Sequence, residues 1–313
     1  MRLGLPADEI GGAQQGGLQV VQQAQQQGQQ LQDAQQQQLT PGARKIKMAN
    51  IIDQADDAEI VAWDPSRVDA VLTAYRTSNG GEDAPVEDEC TCEQLSALDH
   101  KIQTGASPAC DFAVWRPFGR RLQRALKLTV QHLTPGGDYV PYEVPGPPTY
   151  DDWLKAWRVF AVAMVCLQAA TASRLTLYQR KIAHLAEVYG EACWWLVAQA
   201  DSRMRFEQMP RILRRAKEER AAAVGAARPH PLDPNMPWDY CFKLASLDKE
   251  FWDTELDRKA VLYITHLRSQ KQLEDDGTGV SEFQGAGSLD GGSGASRRRG
   301  SMKVQQDRGS GQG

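Results

Sequence analysis

Three runs of basic side chains are the residues of this sequence best placed to do chemistry, and that chemistry is the neutralisation of phosphate. The first run is Arg116, Arg120, Arg121, Arg124 and Lys127, with no acidic residue inside it. A helical turn starting near Pro117 puts Arg120, Arg124 and Lys127 on one face, with Phe118 and Leu122 opposite. The second is Arg211, Arg214, Arg215, Lys217 and Arg220, set against Glu218 and Glu219, with the first four as the candidate contacts. The third is Arg297, Arg298 and Arg299, in a Gly- and Ser-rich segment. Such contacts would be blind to base sequence, because neither a recognition helix nor RNP-type aromatics accompany them. The plainer reading of each run is a solvated face. Arg44, Lys45 and Lys47 add a short basic stretch of the same weak kind.

Other chemistry finds less support. His184 and Glu187 stand three apart, one inverted half of the Glu-x-x-His pattern that a di-iron bundle needs twice. Cys90 and Cys92 form C-x-C in an acidic stretch, with His100 the nearest further candidate ligand, short of a metal site. Asp201 and Arg205 are spaced for an ion pair within one helix and read as a charged helix face or interhelical pairing. No G-x-S-x-G, H-E-x-x-H or Walker A pattern occurs, nor a G-x-G-x-x-G leading from strand to helix. The expectation is a non-enzymatic protein with no catalytic residue, no metal, no cofactor and no small-molecule substrate.

These residues need a scaffold, and the stretch 149–225 is the only one rich enough in apolar residues to be its centre. Thr149 is an N-cap followed by Asp151 and Asp152 in the first turn. Trp153, Trp157, Phe160, Met164 and Leu167 recur at helical spacing. After a break near 170–173, Leu175, Tyr178, Ile182, Leu185 and Tyr189 form a second stripe, which Gly190 stops. Cys193, Leu196, Ala200 and Met204 mark a third helix that Pro210 should kink or end. Upstream, Asp64-Pro65 starts a helix with Val68, Val71, Leu72 and Tyr75 on one face, and Cys92 to Ile102 makes a shorter one. Phe112, Val114 and Trp115 read as a short strand. The turn Pro135-Gly136-Gly137-Asp138 joins the two arms of a hairpin over about 126–144, with Pro141 at an edge position. Downstream, Trp238, Phe242, Leu247, Phe251, Trp252, Leu256, Val261, Leu262 and Ile264 are expected to dock on this core.

The chain therefore divides into a Gln-rich low-complexity tail (1–49), a single mainly helical domain (50–270) and a Gly/Ser/Arg tail (271–313). The fold class is mainly α, with a small β-hairpin and disordered N- and C-terminal tails. The helical core spans 149–225 and C-terminal helices span 236–268. A coiled coil in the glutamine tract is the alternative to a low-complexity tail, although Gly16, Gly17 and Gly28 interrupt any heptad. Net charge is −4, which gives no global pull toward nucleic acid. The longest apolar run, Val159–Leu167, is too short for a bilayer, and the first residues lack the apolar core of a secretory signal. With six cysteines in no disulfide framework, the expectation is an intracellular protein, cytoplasmic or nuclear, not secreted and with no membrane association.

The blocks IVAWDPSRVD, SALDHKIQTG, CDFAVWRPFGRR, YEVPGPP, LKAWRVFAVAMVCL, YGEACWWLVAQADSRMRFEQM, PLDPNMPWDYCF and DKEFWDTEL occur in this order between about Ile60 and Leu267. Together they resemble a group of uncharacterised dinoflagellate proteins associated with retrotransposons. Relatives of that kind often continue into a Cys/His-rich, zinc-knuckle-like segment, whereas here no Cys or His follows His266. The resemblance implies a gag-like layout: a helical domain that assembles with copies of itself, and RNA or DNA held without sequence preference. A helical adaptor between proteins, with no role for nucleic acid, is the competing expectation.

Overall fold

The structure is a computed structural model and describes residues 44–117 and 125–278. It is mainly helical, with two small antiparallel sheets of two strands each. In chain order the elements are β1 (Lys45–Lys47), β2 (Glu59–Val61), α1 (Pro65–Ser78), α2 (Cys92–Gln103), β3 (Lys127–Leu133) and β4 (Tyr139–Pro145). There follow α3 (Tyr150–Cys166), α4 (Ala172–Tyr189), α5 (Trp194–Arg203), α6 (Met209–Gly225), α7 (Pro237–Leu247), α8 (Lys249–Trp252) and α9 (Arg258–Thr278). Single π-helical turns join α5 to α6 (Met204–Gln208) and α8 to α9 (Asp253–Asp257). Two compact units divide at Ile264, inside α9; the second begins at Thr265 and contains the rest of that helix.

The caps stand where short polar side chains precede the helical stripes. Asp64 accepts from the Arg67 N–H at 3.1 Å and Thr149 from the Asp152 N–H at 3.2 Å. Thr91 and Gln94 close a reciprocal capping box at the start of α2. Gly190, at φ 69°, ends α4 in a conformation that a side chain resists. The α3 stripe is fully buried: Trp153, Trp157, Phe160 and Met164 expose 0 % of their surface. α3 packs on α1 and α4, α4 on α5 and α7, and α7 on α6. Phe242 of α7 and Trp252 of α8 join the aromatic cluster through Tyr178.

Several expectations need correction. The first described element begins before residue 50: β1 pairs with β2, burying Ile46 and, just beyond it, Met48. Phe112 to Val114 form a turn rather than a strand, because Asp111 accepts from the Ala113, Val114 and Trp115 amides and winds the chain up. Leu247, Val261 and Leu262 are 60–65 % exposed, so only part of the C-terminal apolar set docks. α9 runs to Thr278, past the expected end of the helical domain. The 1–43 part of the glutamine tail, with its coiled-coil alternative, lies outside the described residues, as does 279–313.

Pro210 neither ends nor breaks its helix. The Met209 N–H bonds back five residues to the Met204 carbonyl, so the ladder is already widened where the proline ring would otherwise clash. The inserted residue of this π-turn also rotates the following side chains relative to α5.

Six cysteines are free, and burial pushes most of their thiols up. Those of Cys166 and Cys241 are raised from an ordinary 9.0 to about 12. Cys90 and Cys110 are shifted upward by burial as well, and so is the Tyr178 hydroxyl. Above pH 9 the unfolded chain sheds thiol protons that the folded chain retains, so stability falls as pH rises through this window. Urea midpoints between pH 8 and 11, in the presence of reductant, should decline progressively. The double variant C166A/C241A should flatten that decline.

Candidate nucleic-acid interface

α6 presents the clearest basic face. Its inner side buries Met209, Ile212, Leu213, Ala216 and Ala223, chiefly against α7. That burial turns Arg211, Arg214, Arg215 and Lys217 outward, and all four are exposed. They occupy about 9 Å of helix axis. Among the described residues none of the four has a carboxylate within ion-pair distance. Glu219, on the same helix, faces His230 instead, at 3.8 Å. Unpaired guanidinium and ammonium groups in water retain their full capacity for phosphate.

Of the first basic run, only its two ends, Arg116 and Lys127, fall among the described residues. Arg116 is 4 % exposed, placed inside by the buried Trp115 before it and by the bond from Gln94 Nε2 to its carbonyl (2.9 Å). Lys127 is exposed at the start of β3 but already paired with Glu143 across the hairpin at 2.5 Å. Arg120, Arg121 and Arg124 lie outside the described residues, as do Arg297, Arg298 and Arg299. Arg44 is paired with Glu93 at 2.8 Å, and Lys47 lies 3.9 Å from Glu59. Of the three sequence runs, the one on α6 lies wholly within the described residues, and there it forms a basic surface.

Asp201 and Arg205 are the residues whose setting the sequence concealed. Their ion pair forms as the spacing requires, at 2.8 Å, but at 0 % and 3 % exposure it belongs to the core rather than to a charged face. Trp153 Nε1 and the Tyr178 hydroxyl each donate to Asp201 at 2.9 Å. Arg205 Nη1 donates to the Cys110 carbonyl at 2.6 Å, and the guanidinium lies 3.9 Å over the Phe112 ring. Trp153 and Tyr178 on two other helices could have signalled this, since a buried indole N–H and phenol both need an acceptor.

A cavity of about 310 Å³ adjoins this pair and is also bordered by Asp53 and Asp111. Each of its carboxylates is occupied by the fold. Asp53 accepts from the Ala55 N–H (3.1 Å) and faces Lys101 Nζ (3.5 Å). Asp111 accepts from Gln54 Nε2 (2.6 Å) and the Ala113 N–H (2.8 Å). These hydrogen bonds tie the carboxylates to the fold.

Cys90 and Cys92 are likewise tied to the fold. The Cys90 thiol donates to the Val159 carbonyl and the Cys92 thiol to that of Trp63. His184 and Glu187 are both exposed on α4. Among the described residues no group of three or more His, Cys, Asp or Glu is arranged to hold a metal ion. Nor is any described helix long and apolar enough to cross a membrane. Comparison with protein families, with curated proteins and with solved structures yields no match.

Proposed function

We propose that this is a non-enzymatic, gag-like structural protein of a mobile element or derived from one. It associates with copies of itself through its helical domain and holds RNA or DNA weakly, without sequence preference. The observation that carries the nucleic-acid part is the set of four unpaired cations on α6. Their helix is anchored by its other face, so phosphate contact needs no rearrangement of the fold. The buried aromatics also support a backbone contact over base stacking, since the large rings lie inside the helical core. The non-enzymatic reading draws on the engaged carboxylates of the Asp201 cavity. The element origin draws on the ordered sequence blocks.

The test is fluorescence anisotropy of a labelled single-stranded RNA across a salt series. Four phosphate contacts give a log–log slope of about −3 for a single strand. Replacing Arg211, Arg214, Arg215 and Lys217 with alanine should remove most of that slope, leaving the helical circular dichroism unchanged. An unaltered slope would take α6 out of the interface. Light scattering over a range of protein concentrations tests the self-association, which a strict monomer at high concentration would contradict.

The adaptor reading has its own observation. Leu133, Val140 and Tyr142 of the hairpin are about half exposed, and β4 buries little of its length. A protein partner seated on the hairpin, together with no binding of RNA or DNA even at low salt, would favour that reading.

A further inference from the structure

A groove of about 930 Å³ lies between β2 and α2. Its strand side includes Val61 and Trp63; its helix side is a single face of α2 carrying Cys92, Ser96, Asp99 and His100. β1 covers only one edge of β2. The Ala62 N–H donates to the Arg44 carbonyl and the Met48 N–H to that of Ala58, so in this register the even-numbered residues of β2 face β1. The N–H and C=O groups of Glu59 and Val61 therefore point away from β1. α2 satisfies this outer edge only at Trp63, whose N–H donates to Ser96 Oγ at 2.9 Å and whose carbonyl accepts from Cys92 Sγ at 3.1 Å. An open strand edge separated from a helix by a groove is suited to an extended segment added as a further strand.

The walls also restrict the occupant. Arg44 is paired with Glu93 (2.8 Å) and Arg67 with Asp99 (2.9 Å), while Arg67 also lies 3.7 Å over the Trp63 ring. Asp64 also lines the groove, but its carboxylate accepts from the Ser66 hydroxyl and the Arg67 N–H; with both arginines paired as well, an uncharged segment fits best. The chain contains one: residues 10–32 carry no charged side chain, and Leu18, Gln19 and Val20 alternate with the period of a strand. The described chain begins at Arg44, which itself lines the groove, and Val21 stands 23 positions earlier. Twenty-three residues reach at most about 75–80 Å, enough to return the segment to the groove.

We propose that the segment around Leu18–Val21 of the same molecule docks in this groove as a third strand, bonded to the outward N–H and C=O groups of Glu59 and Val61. Amide hydrogen exchange on the full chain tests it. The Glu59 and Val61 amides should exchange about tenfold more slowly than in the variant Q19P/V20P, at every protein concentration. That variant changes only residues outside the described ones. A second variant, V61P, removes an outward donor but no β1 ladder bond, and should show the same loss of protection at Glu59 while Ile60 stays protected. Equal exchange in the parent chain and Q19P/V20P would overturn the proposal. Protection that rises with protein concentration would overturn it too, by assigning the strand to a second molecule.

Discussion

Asp201→Ala is expected to destabilise the protein by about 3–5 kcal/mol, because it strips a buried guanidinium of its counter-charge. The four donors converging on Asp201 explain the size of the effect. Arg205 Nε and Nη2, Trp153 Nε1 and the Tyr178 hydroxyl all lie within 3.0 Å of its carboxylate. Deleting the carboxylate leaves Arg205 with the Cys110 carbonyl and the Phe112 face, and leaves two further buried donors unpartnered. Against a typical domain stability of about 5–15 kcal/mol this is a large fraction. Urea unfolding followed by tryptophan fluorescence measures it. Arg205→Met should cost a similar amount, whereas the double change D201L/R205M should cost clearly less than the sum. With both charges gone, only neutral groups remain unsatisfied: the indole and phenol donors and the Cys110 carbonyl. Strict additivity of the two single costs would show that the pair is not coupled as its geometry requires.

The helices of this core were legible because their caps and stripes are local properties. Thr149, Asp64 and Gly190 act through their own backbone neighbourhood, so residue type alone reveals them. Trp153, Trp157, Phe160 and Met164 declare a buried face through spacing alone. The hairpin followed from its Pro-Gly-Gly-Asp turn, and its pairing, Leu128 with Val144 and Val130 with Tyr142, lies within a residue or two of the expected limits. What escaped depends on partners distant in sequence. Ile46 is buried because β2 lies beside it, and nothing in a three-residue strand announces that pairing. Arg116 and Arg205 look like surface cations until the Gln94, Asp201 and Cys110 atoms that position them are in place. Pro210 misleads for a related reason: it is a breaker only in a regular ladder, and the turn before it is not regular. On α6, by contrast, the cations stay outside because Ile212, Leu213 and Ala216 fix the phase of the helix, which is a local pattern again.

Trp157 separates packing from hydrogen bonding in the same core. It is fully buried, stacks on Trp153 and Tyr178 with ring centroids 5.2 Å apart in both cases, and meets Phe242 edge-on at 5.9 Å. Truncation in Trp157→Ala removes all of these contacts and should cost about 3–5 kcal/mol. Trp157→Phe is expected to behave differently. The indole Nε1 of Trp157 is buried with no acceptor, so phenylalanine discards an unsatisfied donor while keeping an aromatic ring in the stack. Lost volume and relieved donor oppose each other, and the net change should stay within about 1 kcal/mol. Trp153 makes the comparison decisive, since it sits in the same stack but its Nε1 is bonded to Asp201. Trp153→Phe loses similar volume and also withdraws a donor from a buried carboxylate, so it should cost more than Trp157→Phe. Denaturation midpoints should therefore fall in the order W157F, W153F, W157A. If W157F proved as costly as W153F, the acceptor at Asp201 would contribute nothing, and the expectation for Asp201→Ala would weaken with it.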